Sequence, residues 1–310
     1  MDLNISRLPV AATRRTAWIT LFTAPALVMM AVFMVWPAIS ALGYSLYDWN
    51  AFTRGGFVGL KHFVRLTEPP YRGELLAALK HNSITFAAVL TVQNGLALLL
   101  AFGLYRRPRG FAFFRGTVFL PVILSLVITG YLWQLFLHPL FGPLTKFAMS
   151  TFNLDEFAPL GDSRLALATA IVISIWRNIG FPTLVFLAGM NAIPEEIYKA
   201  AELDGASDWQ TFRRITLPNL GPSFTIVVIL SFIGAFEWFE LPFVIGGATG
   251  NPGNSLDTMA LMFYRLSFGD GSSAVTDLGL GAAVSVVLFA IVLIGSHFGA
   301  RFLRQREVQR

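Results

Sequence analysis

Long apolar stretches are the main feature of the pattern along this chain. Six segments each hold about 20 mostly apolar residues, the length that an α-helix needs to cross a bilayer. They are residues 18–42, 83–104, 117–137, 165–189, 224–246 and 278–300. Unbroken apolar character favours helices, because lipid leaves each backbone group to be bonded within its own segment. The strands of a membrane β-barrel would instead alternate apolar and polar residues, and these segments do not.

The amino-acid composition strengthens this interpretation. Of the 310 residues, 55% are hydrophobic and 13% are charged, whereas a soluble domain carries about 25% charged residues. The sequence therefore predicts an all-α, polytopic membrane protein with six transmembrane helices. Its expected parts are a cytoplasmic tail over residues 1–16, a six-helix transmembrane domain over 17–300 and a second cytoplasmic tail over 301–310.

The basic residues predict how these helices are oriented. The connections on one side, together with both termini, carry fourteen Lys and Arg residues, against eight in the longer connections on the other side. Since cytoplasmic loops are rich in Lys and Arg, both termini are expected in the cytoplasm. The net charge of +5 then reflects topology, and no nucleic-acid partner is expected.

The connection over residues 190–222 carries the most information about function. Its pattern predicts a cytoplasmic pair of short helices separated by a bend at Gly205, a residue that permits positive φ. Ser207 and Gln210 have the spacing of a capping box that opens the second helix, and Pro218 is expected to end it. The apolar stripe of that helix is formed by Trp209, Phe212 and Ile215. Such an amphipathic hairpin suits the lipid surface or a groove on a partner protein, and the pattern leaves both open.

The run from Tyr198 to Pro218 closely resembles the EAA loop of permease subunits in binding-protein-dependent ABC importers. The matching residues are Ala200, Ala201, Asp204, Gly205, Ala206, Phe212, Ile215, Leu217 and Pro218. The likeness continues upstream over residues 187–194 and downstream through the Gly246-Gly247 pair and Pro252. Among these permeases, the chain is most similar to the sugar-type subunits related to the maltose and glycerol-phosphate systems.

The resemblance implies a transport subunit of the bacterial cytoplasmic (inner) membrane without catalysis of its own. The loop would dock into a cytoplasmic ATPase through Lys199, Ala200, Ala201, Glu202, Asp204, Gly205, Ala206 and Phe212. The implied partners are a second homologous permease subunit, two copies of the ATPase, an extracytoplasmic solute-binding protein, a sugar and the lipid bilayer. ATP and Mg²⁺ would bind to the ATPase, since this sequence has no phosphate-binding Gly-x-x-x-x-Gly-Lys-Ser/Thr loop and no cofactor is expected in it.

One position in the loop departs from the family pattern. The family's glutamate, which pairs with a basic residue of the ATPase, is replaced here by Lys199. Glu202 lies one turn away, and Glu195 and Glu196 are the other carboxylates that could take its place. Docking by shape is therefore carried over to this chain, and the ion pair is not.

Charged residues inside the predicted spans indicate a buried ion pair or a wet cavity. Arg177 lies near the middle of the fourth span, and Glu237 and Glu240 lie in the outer half of the fifth. If both helices are straight, Glu237 matches Arg177 better in depth than Glu240 does. An Arg177–Glu237 pair is therefore expected. It could fix the helix register, line a translocation path or face another subunit, and the sequence leaves these alternatives open.

Polar and aromatic residues near this pair suit a sugar, which binds through hydroxyl hydrogen bonds and through stacking on aromatic rings. On the fifth span, Ser231, Gly234, Ala235 and Trp238 fall on one helix face. The equivalent parts of these two spans line the sugar site in the resembled family. The predicted path consists of Arg177, Asn178, Phe181, Ser231, Gly234, Ala235, Glu237 and Trp238.

Other interpretations of the polar residues remain. Gln93, Asn94 and Gln134 are expected to form hydrogen bonds between helices. The solute could be a polyol, a glycerol phosphate or another small molecule, although a phosphate would favour more than one basic residue at depth. A membrane enzyme would need paired acid and base groups, and a secondary transporter would show an inverted repeat, which is not seen. No metal site is expected, because the four histidines are scattered and cysteine is absent.

The predicted topology can be tested with reporter fusions. Fusions after Gly142 and Gly253 are expected to report an external location, and fusions after Pro108 and Asp208 a cytoplasmic one, because the basic residues concentrate on the side of the latter. Alkaline phosphatase and green fluorescent protein provide the two opposite readouts. A cytoplasmic signal at Gly253 would contradict six spans with both termini inside.

Overall fold

A computed structural model describes residues 9–50, 53–106, 109–271 and 276–308. Arg7, Arg107 and Arg310, which contribute to the count of cytoplasmic basic residues, lie outside these ranges, as does Pro108. Within the described residues the chain is almost entirely helical, and its one sheet is a two-stranded antiparallel hairpin. The all-α prediction is confirmed, and the hairpin is an addition within the connection between the first and second spans.

The elements follow one another in a simple order. They are α1 (Pro9–Met30), α2 (Trp36–Tyr44), β1 (Tyr47–Asn50), β2 (Thr53–Phe57), α3 (Lys61–Leu66), α4 (Tyr71–Ala88), α5 (Asn94–Tyr105), α6 (Phe111–Ile123), α7 (Leu126–Phe136), α8 (Pro143–Phe152), α9 (Ala166–Asn178), α10 (Gly180–Asn191), α11 (Glu195–Leu203), α12 (Asp208–Thr211), α13 (Leu217–Asn219), α14 (Gly221–Phe236), α15 (Glu240–Gly246), α16 (Met259–Phe268) and α17 (Leu278–Val308). Turns of π-helix join α1 to α2, α4 to α5 and α12 to α13, at Ala31–Val35, Val89–Gln93 and Phe212–Thr216.

Six membrane spans account for the predicted apolar segments. Among the described residues, four helices are long and apolar enough to cross a bilayer, and two bent helix pairs bring the number to six. In chain order the spans are α1 with α2, α4 with α5, α6 with α7, α9 with α10, α14 with α15, and α17. The second begins at Tyr71, about a dozen residues before the predicted segment. Helix α1 starts inside segment 1–16 and α17 runs into segment 301–310, so the division into domains stays a prediction.

Two spans bend sharply where the sequence predicts straight helices. The third span turns by 100° between α6 and α7, because Leu124 and Ser125 are extended, with ψ of 137° and 141°. The fourth bends by 44° at Ile179. Next to that bend α10 approaches α6 so closely that a Cβ on Gly180 would lie 2.9 Å from the Val118 carbonyl oxygen. The straight-helix assumption behind the Arg177–Glu237 depth match is therefore wrong.

A polar cluster at the N-terminal part of the second span holds α16 against that span. The Arg265 guanidinium lies 2.8 Å from the Asp257 carboxylate and 2.9 Å from that of Glu74. Burial raises the pKa of the Asp257 carboxyl above its ordinary value, although the hydrogen bonds from Arg265 act in the opposite direction. Asn82 accepts a hydrogen bond of 3.0 Å from the Met259 backbone N–H. The N-terminal part of the second span and the α16 region are thus tied together.

The first span is the exception to this packing. The most apolar part of its helix buries none of its residues within the chain, and Phe22 and Phe33 are 76% and 71% exposed. Its contacts with the remaining spans run through α2, which packs on α17. The apolar surface of α1 is therefore available to lipid or to another subunit.

Candidate functional site

A cavity of about 410 Å³ lies where the interrupted spans meet. Residues of the second, third, fourth and fifth spans line it: Thr85, Val89, Gln93, Val122, Leu126, Ser174, Asn178, Phe181, Pro182, Val227, Leu230, Ser231, Gly234, Ala235, Glu237, Trp238 and Glu240. Every residue of the predicted path except Arg177 is among them. The sequence analysis missed the contributions of the second and third spans. The hydroxyl groups of Thr85 and Ser174, which lie within apolar segments, were the sequence signal that could have indicated these lining residues.

The fifth span presents the predicted face to the cavity. Ser231, Gly234, Ala235 and Trp238 all line it, so the helical spacing identified one face correctly. The Ser231 hydroxyl accepts a hydrogen bond of 3.0 Å from the Asn94 side-chain amide on α5. This bond confirms the interhelical role predicted for Asn94. The same bond fixes the orientation of the Ser231 hydroxyl in the wall of the cavity.

Gln134 and Gln93 are the two other polar residues singled out in the spans, and their surroundings differ. Gln134 on α7 donates from its amide to the carbonyl oxygens of Val244 and Ile245, at 2.8 and 3.3 Å. Its predicted interhelical role is therefore confirmed. Gln93 is buried at the π-helical turn of the second span and lines the cavity.

Arg177 forms a different set of contacts from the one predicted. Its Nε and Nη2 atoms donate to the Leu124 carbonyl oxygen at 3.1 and 2.8 Å, and Nη2 also reaches the Val122 carbonyl at 3.5 Å. Its Nη1 atom donates to the Asn178 side-chain oxygen at 2.7 Å. These partners replace the expected ion pair with Glu237. Arg177 therefore lies beside the cavity and stabilises the part of the third span that forms its wall.

The break in the third span explains why an arginine is needed there. Carbonyl groups at the end of α6 lose their helical partners when the chain turns extended at Leu124. In the apolar interior of a membrane, each backbone group without a hydrogen-bond partner costs several kcal/mol. The planar guanidinium supplies several donors in a fixed fork, so one side chain can satisfy two carbonyls together. Arg177 thus caps a broken helix from a neighbouring span.

The end of α14 is capped in the same way on the other side of the cavity. The helix stops at Phe236, and the Asn82 side-chain amide donates to the carbonyl oxygens of Ala235 and Phe236 at 2.7 and 3.3 Å. Glu237 and Trp238 follow in non-helical conformation and line the cavity. The indole N–H of Trp238 is buried without a hydrogen-bond partner in this chain.

The loop over residues 190–222 forms the predicted pair of helices. Helix α11 ends in a Schellman motif: the Ala206 N–H donates to the Ala201 carbonyl and the Gly205 N–H to the Glu202 carbonyl, both at 3.0 Å. Gly205 has φ of +74°, which confirms the predicted reason for glycine. The predicted capping box is also present, since Ser207 and Gln210 bond reciprocally.

Pro218 does not end the second loop helix, and that prediction is wrong. The helix continues from α12 through the π-helical turn into α13 (Leu217–Asn219), and Pro218 lies in the first turn of α13. Proline is tolerated at such a position because the hydrogen-bond pattern changes there from π to α, where the missing N–H costs little.

Aromatic contacts fix the loop to the C-terminal end of the second span. Phe212 is 4% exposed, and its ring centroid lies 4.4 Å from that of Phe102 on α5. Tyr198 of α11 pairs with Tyr105 at 5.5 Å. An exposed ion pair between Arg106 and Asp208 adds a contact of 2.5 Å. The loop helices and α5 therefore form one packed unit.

The remaining predicted coupling residues surround an open groove between the two loop helices. This groove, of about 770 Å³, is lined by Ala200, Ala201, Asp204, Gly205 and Ala206, with Glu196, Ile197, Gln210, Thr211, Arg214 and Ile215. Lys199 is two-thirds exposed and pairs with Glu195 of its own helix at 3.1 Å. Glu202 is exposed as well. Phe212 is the one predicted coupling residue that is buried in the core beneath the loop, and Ala201 is buried at the groove.

The fold and this loop define a membrane-embedded transport subunit, and comparison with known proteins gives its family. The model of the family described as binding-protein-dependent transport system inner membrane component matches residues 93–306. The chain belongs to this family. It is therefore a multi-pass permease of the inner membrane, and the predicted kinship with sugar-type permeases of binding-protein-dependent importers is confirmed.

Several curated relatives match nearly the whole chain. The sn-glycerol-3-phosphate transport system permease protein UgpA of Agrobacterium fabrum is 31% identical over 289 residues, covering 92% of this chain and 94% of the relative. The trehalose/maltose transport system permease protein MalF of Thermococcus litoralis is 30% identical over 271 residues, covering 87% and 88%. The probable ABC transporter permease protein YurN of Bacillus subtilis is 29% identical over 290 residues, covering 92% and 95%.

Solved structures share the fold. A chain of a bacterial ABC transporter for import of the acidic polysaccharide alginate aligns with a TM-score of 0.80 and 23% identity, covering 95% of this chain and 98% of that one. The alginate transporter in complex with its alginate pentasaccharide-bound periplasmic protein aligns with a TM-score of 0.81 and 22% identity, covering 96% and 97%. The spans and the loop thus have the architecture of an importer permease.

The support that Arg177 gives to the third span can be tested by substitution. Arg177→Met should lower the free energy of unfolding by about 1–3 kcal/mol, because the carbonyls of Val122 and Leu124 lose their donors. Arg177→Lys should recover only part of this loss, since an ammonium lacks the planar fork. Thermal unfolding of the detergent-solubilised complex measures both effects. Arg213→Met, at an exposed arginine of the loop, is the control, and an unchanged melting temperature for Arg177→Met would contradict the capping role.

Proposed function

We propose that this chain is a permease subunit of an importer for a sugar or oligosaccharide and that the cavity is part of the translocation path. The observation that carries this proposal is the cavity itself, which combines hydroxyl, amide, carboxylate and indole groups at membrane depth. Such groups match the hydroxyls and apolar faces of a carbohydrate. The names of several relatives agree with it, since they refer to starch degradation products, trehalose/maltose and arabinooligosaccharides.

The residues along the proposed path would have different roles. Asn178, Ser231 and Glu237 would offer hydrogen-bonding groups to the solute, and Phe181 and Trp238 would offer ring faces. Gly234 and Ala235 would leave room for it, as they add little side-chain volume to the wall. Arg177 would act on the solute indirectly, by holding the break of the third span that shapes one side of the cavity.

The loop over residues 190–222 would couple this path to a cytoplasmic ATPase. Its open groove and the exposed side chains of Ile197, Leu203 and Trp209 provide a surface for docking by shape. Lys199, Glu202, Asp204 and Ala206 would lie at that surface, and Phe212 would transmit its position to the second span. ATP and Mg²⁺ would be bound by the ATPase, and this chain would contribute no catalysis of its own.

The proposed assembly contains this chain, a second homologous permease subunit, two copies of the ATPase and an extracytoplasmic solute-binding protein. The unburied α1 supports the second permease, because its apolar surface lacks partners within the described chain. The distribution of Lys and Arg supports cytoplasmic termini. The solute-binding protein is supported by the alginate transporter, one of whose solved structures is a complex with a periplasmic protein.

A phosphorylated solute is the second candidate. The name of the Agrobacterium relative refers to glycerol 3-phosphate, and that relative is as similar to this chain as the sugar permeases are. A polyol or another small solute would fit the same architecture. The two carboxylates in the lining of the cavity, Glu237 and Glu240, support an uncharged solute.

Coupling through the loop can be tested at Gly205. Gly205→Val should place a β-branched residue at positive φ, with a strain of about 1–3 kcal/mol, while the space around the position is open. The strain should deform the bend, and solute-stimulated ATP hydrolysis should fall at least tenfold in reconstituted complexes. Gly205→Asn is the matched variant and should keep most of the activity, because asparagine tolerates this conformation.

Docking by shape can be tested separately at Lys199. Lys199→Ala should retain the ATPase subunit during purification, since Lys199 is exposed and pairs within its own helix. Loss of the ATPase from that variant would show an ion pair across the interface and would contradict docking by shape. Unchanged uptake and ATP hydrolysis in Gly205→Val would refute the coupling role of the bend.

A further inference from the structure

The charges at the cavity are asymmetric. Among the described residues that line it, two are acidic, Glu237 and Glu240, and none is Lys, Arg or His. Both carboxylates are exposed in the chain on its own, and they follow one another at the interruption of the fifth span. A solute at this wall therefore meets negative charge and hydrogen-bond acceptors.

Arg177 compensates for only part of this asymmetry. It is the one basic residue inside the described spans near the cavity, but it is absent from the lining. Its Nε and both of its Nη nitrogens already donate to carbonyl and amide oxygens of Leu124, Val122 and Asn178. These bonds occupy four of the five guanidinium N–H groups, which leaves at most one for an anion. The charge of Arg177 interacts with Glu240, so it offsets one of the two lining carboxylates and leaves an excess of negative charge at the cavity.

We infer that this side of the path admits uncharged carbohydrates and disfavours anionic ones, such as phosphorylated sugars or uronic-acid oligosaccharides. The inference rests on the proposed function and names the substrate class of the same cavity. Hydroxyl groups donate to carboxylates, whereas phosphate and carboxylate groups of a solute are acceptors that repel them. Charge repulsion is stronger in a membrane cavity than in water, because the effective dielectric constant is lower.

A preference for uncharged carbohydrates also agrees with the remaining polar groups of the cavity wall. Asn178 and Ser231, which line the cavity, carry donors and acceptors that a hydroxyl can match in either sense. The comparisons include permeases named for glycerol 3-phosphate and an importer named for acidic alginate. The charges at the cavity group this chain with relatives named for neutral sugars, although its sequence identity to a glycerol 3-phosphate permease is about the same as to a trehalose/maltose permease.

Binding to the assembled permease–ATPase complex tests the inference directly. The solute-binding protein is left out, so that its own selectivity does not enter, and saturation-transfer difference NMR detects weak binding. The probes are maltotriose and arabinotriose as neutral solutes, and sn-glycerol 3-phosphate and alginate trisaccharide as anions. At least one neutral probe should bind at least tenfold more tightly than either anion.

A charge-neutral variant connects this preference to the two carboxylates. Glu237→Gln combined with Glu240→Gln should reduce the neutral-to-anion ratio at least fivefold, whereas Glu156→Gln, at an exposed acidic residue outside the cavity, should leave it unchanged. Equal or tighter binding of an anion by the unmodified complex would overturn the inference, as would an unchanged ratio in the double variant. If no carbohydrate binds to a complex that still hydrolyses ATP, the proposed sugar path itself fails, and the inference falls with it.

Discussion

The backbone of a chain in lipid must find its hydrogen-bond partners within the protein, and this requirement shapes the centre of the molecule. The third span turns by 100° and the fifth loses its helical structure over residues 237–239, so both leave carbonyl groups without helical donors. Arg177 and Asn82, each from a neighbouring span, supply those donors. The breaks are therefore stable features of the fold. The cavity exists between them because a bundle of unbroken helices would fill that space with side chains.

The second span connects the cavity with the loop over residues 190–222. Phe102 and Tyr105 on α5 contact the two loop helices, and the same span reaches the cavity at Gln93 and contacts Ser231 through Asn94. We propose that a displacement of the loop is carried through this span to the wall of the cavity. The π-helical turn at Val89–Gln93 lies where this span meets the cavity, as such turns frequently do at functional sites.

Much of this arrangement could be predicted from local patterns. The apolar segments, the Schellman bend at Gly205 and the shared face of Ser231 and Trp238 each depend on residues close in sequence. The bends of the third and fourth spans are not visible in the apolar composition, which is the same for a straight and a broken span. Prolines beside both bends were the available signal, since Pro121 lies two residues before the end of α6 and Pro182 in the first turn of α10. The partners of Arg177 followed from the break in the third span, which is why depth along straight helices indicated Glu237 wrongly.

We propose that the face bearing Ser231 belongs to an aqueous path whose access changes with the state of the ATPase. Because the chain contains no cysteine, Ser231→Cys introduces its sole thiol, and Val172→Cys on the exposed outer face of α9 is the lipid-facing control. Labelling with a membrane-impermeant maleimide from the external side compares nucleotide-free complexes with complexes trapped by ATP and vanadate. The account predicts labelling of Ser231→Cys in the trapped state, protection without nucleotide, and no labelling of Val172→Cys. Absence of labelling at Ser231→Cys in every state would contradict it.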